Sequence, residues 1–301
     1  MKAGGGVRGE LARVPFPIGR RGRVLFGIFL AAALSWQVLG LYLGDVFGGA
    51  SGGGILGRFL EGAVHPALDY EATNVPAGVP SLLARVAISI WDTVVLAAAG
   101  MGLALIVGFV LGFFGASSWW ADEGGCERAP WGRFVRCRLL PLMYGSVRVL
   151  IVLMRSVHEL LWAVLLLAAF GLNSFGAVIA IAIPYGGTLA KVFSEMLDEC
   201  PRESARSLRA IGARPLQVFL FGLLPRALGD MSAYAFYRFE CAVRSSAVLG
   251  FFGYPTLGYY LRQAADNLHY REVWTYLYAL FAVVLVFEVW SAHLRRRIVL
   301  R

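Results

Sequence analysis

Apolar and polar positions alternate along this chain in long blocks. Val24–Leu43 runs 20 residues without a charge, and Thr93–Ala116 runs 24. Val149–Leu172 is apolar apart from Arg155, His158 and Glu159. Phe175–Ala190 is uncharged with Pro184 inside, Met231–Tyr254 carries Arg238, Glu240 and Arg244, and Val273–Leu294 carries only Glu288 and His293. About 20 residues of helix cross a bilayer core, so the pattern predicts six crossings. It divides the chain into a segment 1–23, an anchor helix 24–43, a loop 44–84, a core 85–294 that contains a polar loop at 195–230, and a tail 295–301. The first apolar run exceeds the 7–15 residues of a signal-peptide centre and predicts a retained anchor. Loop 44–84, rich in Gly and Pro, predicts an exposed connection with a short helix near Ser81–Ile90. The 34 residues at 139–172 allow two short crossings or one.

Composition sharpens this picture. Of 301 residues 58% are hydrophobic and 16% charged, with a mean hydropathy of +0.65. A soluble domain carries about a quarter charged residues. Soluble enzymes, disordered tails and secreted disulfide scaffolds are therefore excluded. The net charge of +9 marks cytoplasmic loops rather than a nucleic-acid surface. Residues 1–23, 117–140, 191–230 and the tail hold 20 of the 28 bases, whereas loops 44–84 and 255–272 are acidic or balanced. The positive-inside rule then puts both termini in the cytoplasm. It also favours a single crossing at 139–172, entered through an interfacial helix near Leu139–Arg148, because two would turn the basic segments outward. The four cysteines (Cys126, Cys137, Cys200 and Cys241) have neither CxxC nor His-ligand spacing and read as free thiols.

The polar loop has its own pattern. Between Pro201 and Gly212, Ala205, Leu208 and Ile211 recur at steps of three, one narrow apolar face of a short helix. Gly212 stops it as a C′ glycine does, and a second apolar run, Leu216–Leu224, leads to Pro225. A helix–Gly–helix elbow at a membrane surface suits docking into a groove on a cytosolic partner.

This elbow resembles the Glu-Ala-Ala loop of ABC importer permeases, in which Leu-Pro follows the loop glycine at the spacing of Gly212 and Leu224-Pro225. The resemblance is closest to the phosphonate/phosphite importer group and runs from about Asp92 to Glu288. Arg155–Ala163 is similar to that group's RSIPELVWA segment, Leu208–Ala213 to LRATGA, and Tyr237–Gly250 to YRFEINVRSATVLG. Arg206 stands where the loop Glu is expected, with Glu203 one turn earlier; His158 replaces the Pro of RSIPE; and Gly253–Gly258 replaces a Gly-rich turn.

The resemblance implies an all-α integral membrane protein with six transmembrane helices. Five would form a type I, methionine-permease-like importer core, and one would be an extra N-terminal helix. It implies a non-catalytic transport subunit of a bacterial inner membrane, with no cofactor of its own. Its expected partners are a cytosolic P-loop ATPase that binds ATP, a periplasmic or lipid-anchored binding protein, a second permease copy and membrane lipids, and no nucleic acid. The chain itself has no P-loop. The expected ATPase-coupling residues are Glu203, Ala205, Arg206, Arg209, Gly212, Leu224 and Pro225.

Charges inside the crossings are costly, at least about 2.5–3.5 kcal/mol each on insertion scales. Arg155, His158, Glu159, Arg238, Glu240 and Arg244 are therefore candidate translocation-path residues. Arg suits an oxyanion, whose oxygens its planar fork can meet in pairs. Glu240 and Arg244, four apart, share a helix face and can pair, and Arg155 and Glu159 are four apart on another span. Salt bridges that fix helix packing, or snorkelling of Arg155 and Arg238 from the cytoplasmic ends, account for the same residues without transport. An importer for another small anion or solute, an ATP-independent anion channel and a membrane scaffold subunit remain open alternatives. A lipid-acting enzyme has no HExxH or GxSxG in its favour.

Overall fold

A computed structural model describes residues 20–40, 49–72, 75, 76, 78–117 and 140–299, and among them there is no strand. Helix α1 covers Arg20–Val38 and α2 Gly49–Val64; α3 is Leu82–Gly115, α4 Leu140–Ser156, α5 Glu159–Phe170 and α6 Ser174–Glu199. Then come α7 (Glu203–Ala210), α8 (Pro215–Val218) and a π turn, Phe219–Leu223, that runs straight into α9, Leu224–Leu249. A 3₁₀ turn at Gly250–Phe252, α10 (Leu257–Asp266) and α11 (Tyr270–Val299) complete the chain. Residues 1–19, Cys126 and Cys137 lie outside the described residues. Residues 1–58 and 59–301 form two compact units, and the second contains the bundle described below.

The bundle is organised around α3 and α6, its most extensive helix pair. A Cβ added at Gly100 would stand 2.8 Å from the Ile181 side chain; at Gly108 it would stand 2.6 Å from Leu189, and at Gly112 3.0 Å from Phe193. Together with the buried Ala104 these residues form a stripe with i+4 spacing on one face of α3. Small residues let two backbones approach, the usual means of pairing helices where lipid removes any hydrophobic drive. The contacts advance in step along both helices, so α3 and α6 run parallel.

Parallel helices require a return between them, and α4 with α5 supplies it. Ile151 lies beside Gly115 at the end of α3; Met154 and Arg155 lie beside Gly187, further back along α6; and Leu172, past α5, meets Gly253 at the opposite end. Residues 140–172 thus run once from one end of the bundle to the other. Their form differs from the expectation, because no straight helix covers 149–172, and residues 140–148, expected as a separate interfacial helix, are the start of α4. Instead α4 and α5 meet at a 91° bend. His158 is extended there (φ −65°, ψ 146°) and its ring accepts the Leu160 N–H, capping α5. A side chain that satisfies one orphan donor of a helix start makes the break affordable.

Three other boundaries differ from the sequence pattern. The short helix at Ser81–Ile90 is the start of the 34-residue α3. Residues 49–64, within the loop 44–84, form the helix α2 despite their glycines. The first apolar helix ends at Val38, short of Leu43, where Gly40 takes φ +60°. Helices α3, α6 and Tyr270–Arg296 of α11 are long and apolar enough to cross a membrane, and the bent pair counts as a fourth when taken as one span. Helix α9 is as long as α6 and packs on α3, α6 and α11 in the same bundle, but it is more charged.

Thr93 ties one end together. Its hydroxyl donates to the Ser89 carbonyl (2.6 Å) and accepts the Leu257 N–H (3.0 Å), while its carbonyl accepts from Ser246 Oγ (2.9 Å). One buried threonine therefore holds α3, α9 and the start of α10 in register.

Gly108→Ala should destabilise the detergent-purified protein by about 1–3 kcal/mol, as overpacking does. Gly102→Ala, where an added Cβ meets nothing within 4 Å, should be neutral or stabilising by up to ~1 kcal/mol. Thermal unfolding of the two variants side by side checks the stripe; equal melting temperatures would contradict it.

Candidate functional site

Two groups of the expected residues form recognisable assemblies. The first is the elbow. Helix α7 ends in a full Schellman cap: Gly212 at φ +84° donates to the Arg209 carbonyl (3.0 Å), and Ala213 donates to Leu208 (3.1 Å). That bonding closes two orphan carbonyls and demands a left-handed residue. Ala205 is buried and Leu208 packs toward the π turn, where a Cβ on Gly222 would meet Leu208 at 3.1 Å. Ile211 does not complete the apolar face expected of it. The helix ends one residue before it, at Ala210, and Ile211 is 79% exposed.

Pro225 is accommodated by the π turn. Proline has no N–H and its ring crowds the carbonyl four residues back. One wider turn, in which the Leu224 N–H reaches Phe219 O, carries the helix into it without a stop. The elbow's outward surface consists of Ile211, Leu216, Leu220 and Phe221, the last 73% exposed. Glu203, Arg206 and Arg209 are exposed on the neighbouring α7. Leu224 is half-buried and Pro225 exposed. An apolar centre with a charged margin is the make-up of a protein-docking surface. Just beyond α6, burial pushes the Cys200 thiol up, which keeps it protonated at neutral pH.

The second assembly lies inside the bundle. Glu240 is 6% exposed and accepts from Arg244, one helical turn away, at 2.6 Å. The Arg238 guanidinium lies over the Tyr185 ring, 4.4 Å from its centroid, within cation–π range. The Ser245 hydroxyl donates to Glu159 Oε1 at 3.0 Å. The Tyr185–Ser245 contact of 2.8 Å must then be donated by the tyrosine, since a serine has one hydroxyl proton. His158 Nε2 stands 3.7 Å from the other Glu159 oxygen. The result is a polar chain, Arg238–Tyr185–Ser245–Glu159–His158, that links α9, α6 and α5.

The expected pairing of Arg155 with Glu159 is corrected by the bend. The two residues sit on different helices, so the i,i+4 geometry does not arise. Glu159 bonds Ser245 instead, and the Arg155 stem lies against Gly187. Arg238 is not a snorkelling end residue either: its partner Tyr185 adjoins Gly186, which packs on Ala104 and Val107 of α3, well inside both helices. The Arg238 Nε is buried without a hydrogen-bond partner. Two central members, Tyr185 and Ser245, escaped sequence reasoning. Ser245 lies within the YRFE-like stretch, but Tyr185 follows Pro184 in an apolar run that gives no signal. Among the described residues no three His, Cys, Asp or Glu side chains converge as metal ligands would.

The family described as binding-protein-dependent transport system inner membrane component matches residues 129–300, more than half of the chain. The chain belongs to this family. The permease is 29% identical over 205 residues to the phosphite transport system permease protein PtxC of Stutzerimonas stutzeri, a match covering 68% of each chain. It is 28% identical to the phosphate-import permease protein PhnE of Mycolicibacterium smegmatis over 53% of this chain and 30% of that protein. Among solved structures, the MetNI methionine ABC transporter in an inward-facing conformation aligns with a TM-score of 0.57 at 18% identity, over 72% of the permease and 97% of that chain. That likeness shows the fold to be that of an ABC importer permease.

Tyr185→Phe should cost about 0.5–1.5 kcal/mol and Ser245→Ala more, since it also removes the bond to Glu159; together they should cost less than their sum, by about the worth of the one hydrogen bond they share. A double-mutant cycle of denaturant unfolding in micelles measures this. Strict additivity would show that the two hydroxyls do not meet.

Proposed function

We propose that the permease forms the translocation path of an ATP-driven importer for a phosphorus oxyanion of the phosphite or phosphonate kind. The single observation that carries this reading is the elbow. A capped, rigid α7 packs through Ala205 and Leu208 onto a π turn that continues unbroken into α9. Force applied to Ile211, Leu216 and Phe221 therefore reaches the helix that bears Arg238, Glu240 and Arg244 without passing through a flexible joint. An anion channel working without ATP, or a scaffold, has no use for such a lever.

In this reading a cytosolic P-loop ATPase docks on the elbow and supplies the ATP chemistry, the permease binding no cofactor itself. Glu203, Arg206 and Arg209 set its electrostatic register, and Gly212, Leu224 and Pro225 shape the lever. A second copy of the permease completes the path, and a binding protein delivers cargo at the α3–α10–α11 end. The protein lies in a bacterial inner membrane with both termini in the cytoplasm, and alternating access follows from rocking of the two bundles.

The cargo class rests on the names of the relatives together with the Arg238 site. A guanidinium held over a ring keeps its outward N–H groups for a passing oxyanion, and a single weak contact lets the anion leave again. Arg155, His158 and Glu159, at the bend, line the same region.

Phe221→Arg should reduce co-purification of the ATPase by about tenfold or more, the loss typical of an interface anchor, with the permease still inserted and folded. Arg238→Gln should leave that association intact and lower phosphite uptake. Quantitative mass spectrometry of the purified complex and uptake of labelled phosphite into cells read the two outcomes. Wild-type permease isolated without any ATPase, or undiminished ATP-independent flux, would overturn the proposal.

A further inference from the structure

At the end of the bundle opposite the elbow, a cavity of about 300 Å³ opens between the start of α3, the segment before it, α10 and the start of α11. One base dominates it. The Arg85 guanidinium stands 5.4 Å from the Tyr70 ring centroid and 5.3 Å from that of Tyr260. Both rings are fixed in turn. The Tyr70 hydroxyl donates to the Pro80 carbonyl at 2.9 Å, and Tyr260 stacks on the buried Tyr276 with centroids 6.0 Å apart at 16°. Burial also pushes the Tyr70 hydroxyl up, so its ring stays neutral.

The other bases of this end are engaged. Arg262 bonds the Phe251 carbonyl and stands 3.4 Å from Asp266. Arg271 donates to the His65 carbonyl at 2.8 Å and lies 3.9 Å from Glu71. Among the described residues no hydrogen bond or ion pair takes the N–H donors of the Arg85 side chain. The cavity's carboxylate is occupied as well: Glu272 is buried, accepts the Glu71 N–H at 2.6 Å and has His269 at 3.6 Å. Gln263 and Asn267, both exposed on or just past α10, bring amide donors to the cavity wall.

We infer that this cavity is a binding site for a small oxyanion, held by the Arg85 fork with the Gln263 and Asn267 amides. Four features carry the inference. The guanidinium is immobilised, so little side-chain entropy is lost on binding. Its donors are unspent, and charge-assisted bonds to an oxyanion are about twice as strong as neutral ones. Arg85 lies in the first turn of α3, where the unpaired N–H groups of a helix start add positive potential. Glu272, the one carboxylate among the described residues of the wall, is already engaged by the Glu71 N–H and stands beside His269. The site is distinct from the Arg238 chain and lies beyond it along the bundle. If the proposed orientation holds, it receives the anion before the membrane interior does; the binding itself does not depend on that orientation.

The test uses the full-length permease alone in detergent, without ATPase or binding protein. Binding of sodium phosphite, followed by ³¹P NMR, should be saturable. It should weaken by about tenfold or more in Arg85→Gln and by less in Arg85→Lys, which keeps the charge but not the fork. Arg262→Gln, which removes a neighbouring base already engaged by the Phe251 carbonyl and Asp266, should leave this binding unchanged. Size-exclusion elution and circular dichroism verify the fold, and Gln263→Ala offers a milder variant should Arg85→Gln not fold; it should weaken binding measurably. Phosphite binding that is absent from the wild type, or equal in all variants, overturns the site. So does unchanged phosphite binding with lost capture of a purified binding protein, which would make Arg85 a reader of protein carboxylates. Failure of the importer reading would show separately, in the absence of a co-purifying ATPase.

Discussion

The close parallel contact of α3 and α6 is the constraint on which the rest of the bundle depends. Gly100, Ala104, Gly108 and Gly112 remove every side chain that would hold the two helices apart. Because the two are parallel, the chain between them must return once, which makes α4 and α5 a single crossing. Because they are close, Gly186 and Gly187 of α6 touch different neighbours, the first α3 and the second α4. Helix α6 therefore sits at the centre of the bundle, and Tyr185, just before this pair, is carried into contact with α9. The polar chain owes its position to backbone geometry set by glycine.

The same geometry explains why charges are tolerated at this depth. A lone ion in an apolar surround is costly, but here three of them have a specific companion. Glu240 has Arg244, Glu159 has the Ser245 hydroxyl, and Arg238 has the face of Tyr185. Arg238 is the least satisfied of them, since its buried Nε has no hydrogen-bond partner. A fully bonded network would fix the helices and bind nothing. In the proposed path, an incompletely bonded cation would retain affinity for an anion, yet only weak affinity.

Much of this was legible in the residues. The long apolar helices and the elbow followed from periodicity and the Gly–Leu-Pro spacing, because these are local signals. Gly212 announced its own left-handed turn. Elements that depend on tertiary contact were not legible. The bend at His158 is a cap that an apolar run conceals. The fusion of Ser81–Ile90 with the second crossing needed the packing of Val86 and Ser89, since propensity alone does not join an amphipathic turn to an apolar helix. Ile211 looked like a core position by its spacing and became surface because the helix stops at Ala210. Tyr185 and Thr93 gave no signal, for a buried hydroxyl is noticed only when its partners on other helices are known.

The two ends of the bundle differ in the kind of chemistry they expose, and that difference gives the molecule its direction. The elbow end presents large apolar side chains around a rigid turn, a surface that binds by shape and excluded water. The α3–α10–α11 end presents a stacked guanidinium and amides around a small cavity, a surface that binds by charge and hydrogen bonds. The proposed importer, in which contact with an ATPase would move a small anion, needs this division. Mechanical force is best received where area is large and apolar, whereas a hydrated oxyanion is best received where donors replace its water at little cost. Helix α9 joins the two regimes, since it begins at the π turn beneath the elbow and carries in its last turn Ser246, bonded to Thr93 beside the α10 start. A displacement of its first turn is therefore passed, through one rigid element, to the residues that frame the far opening.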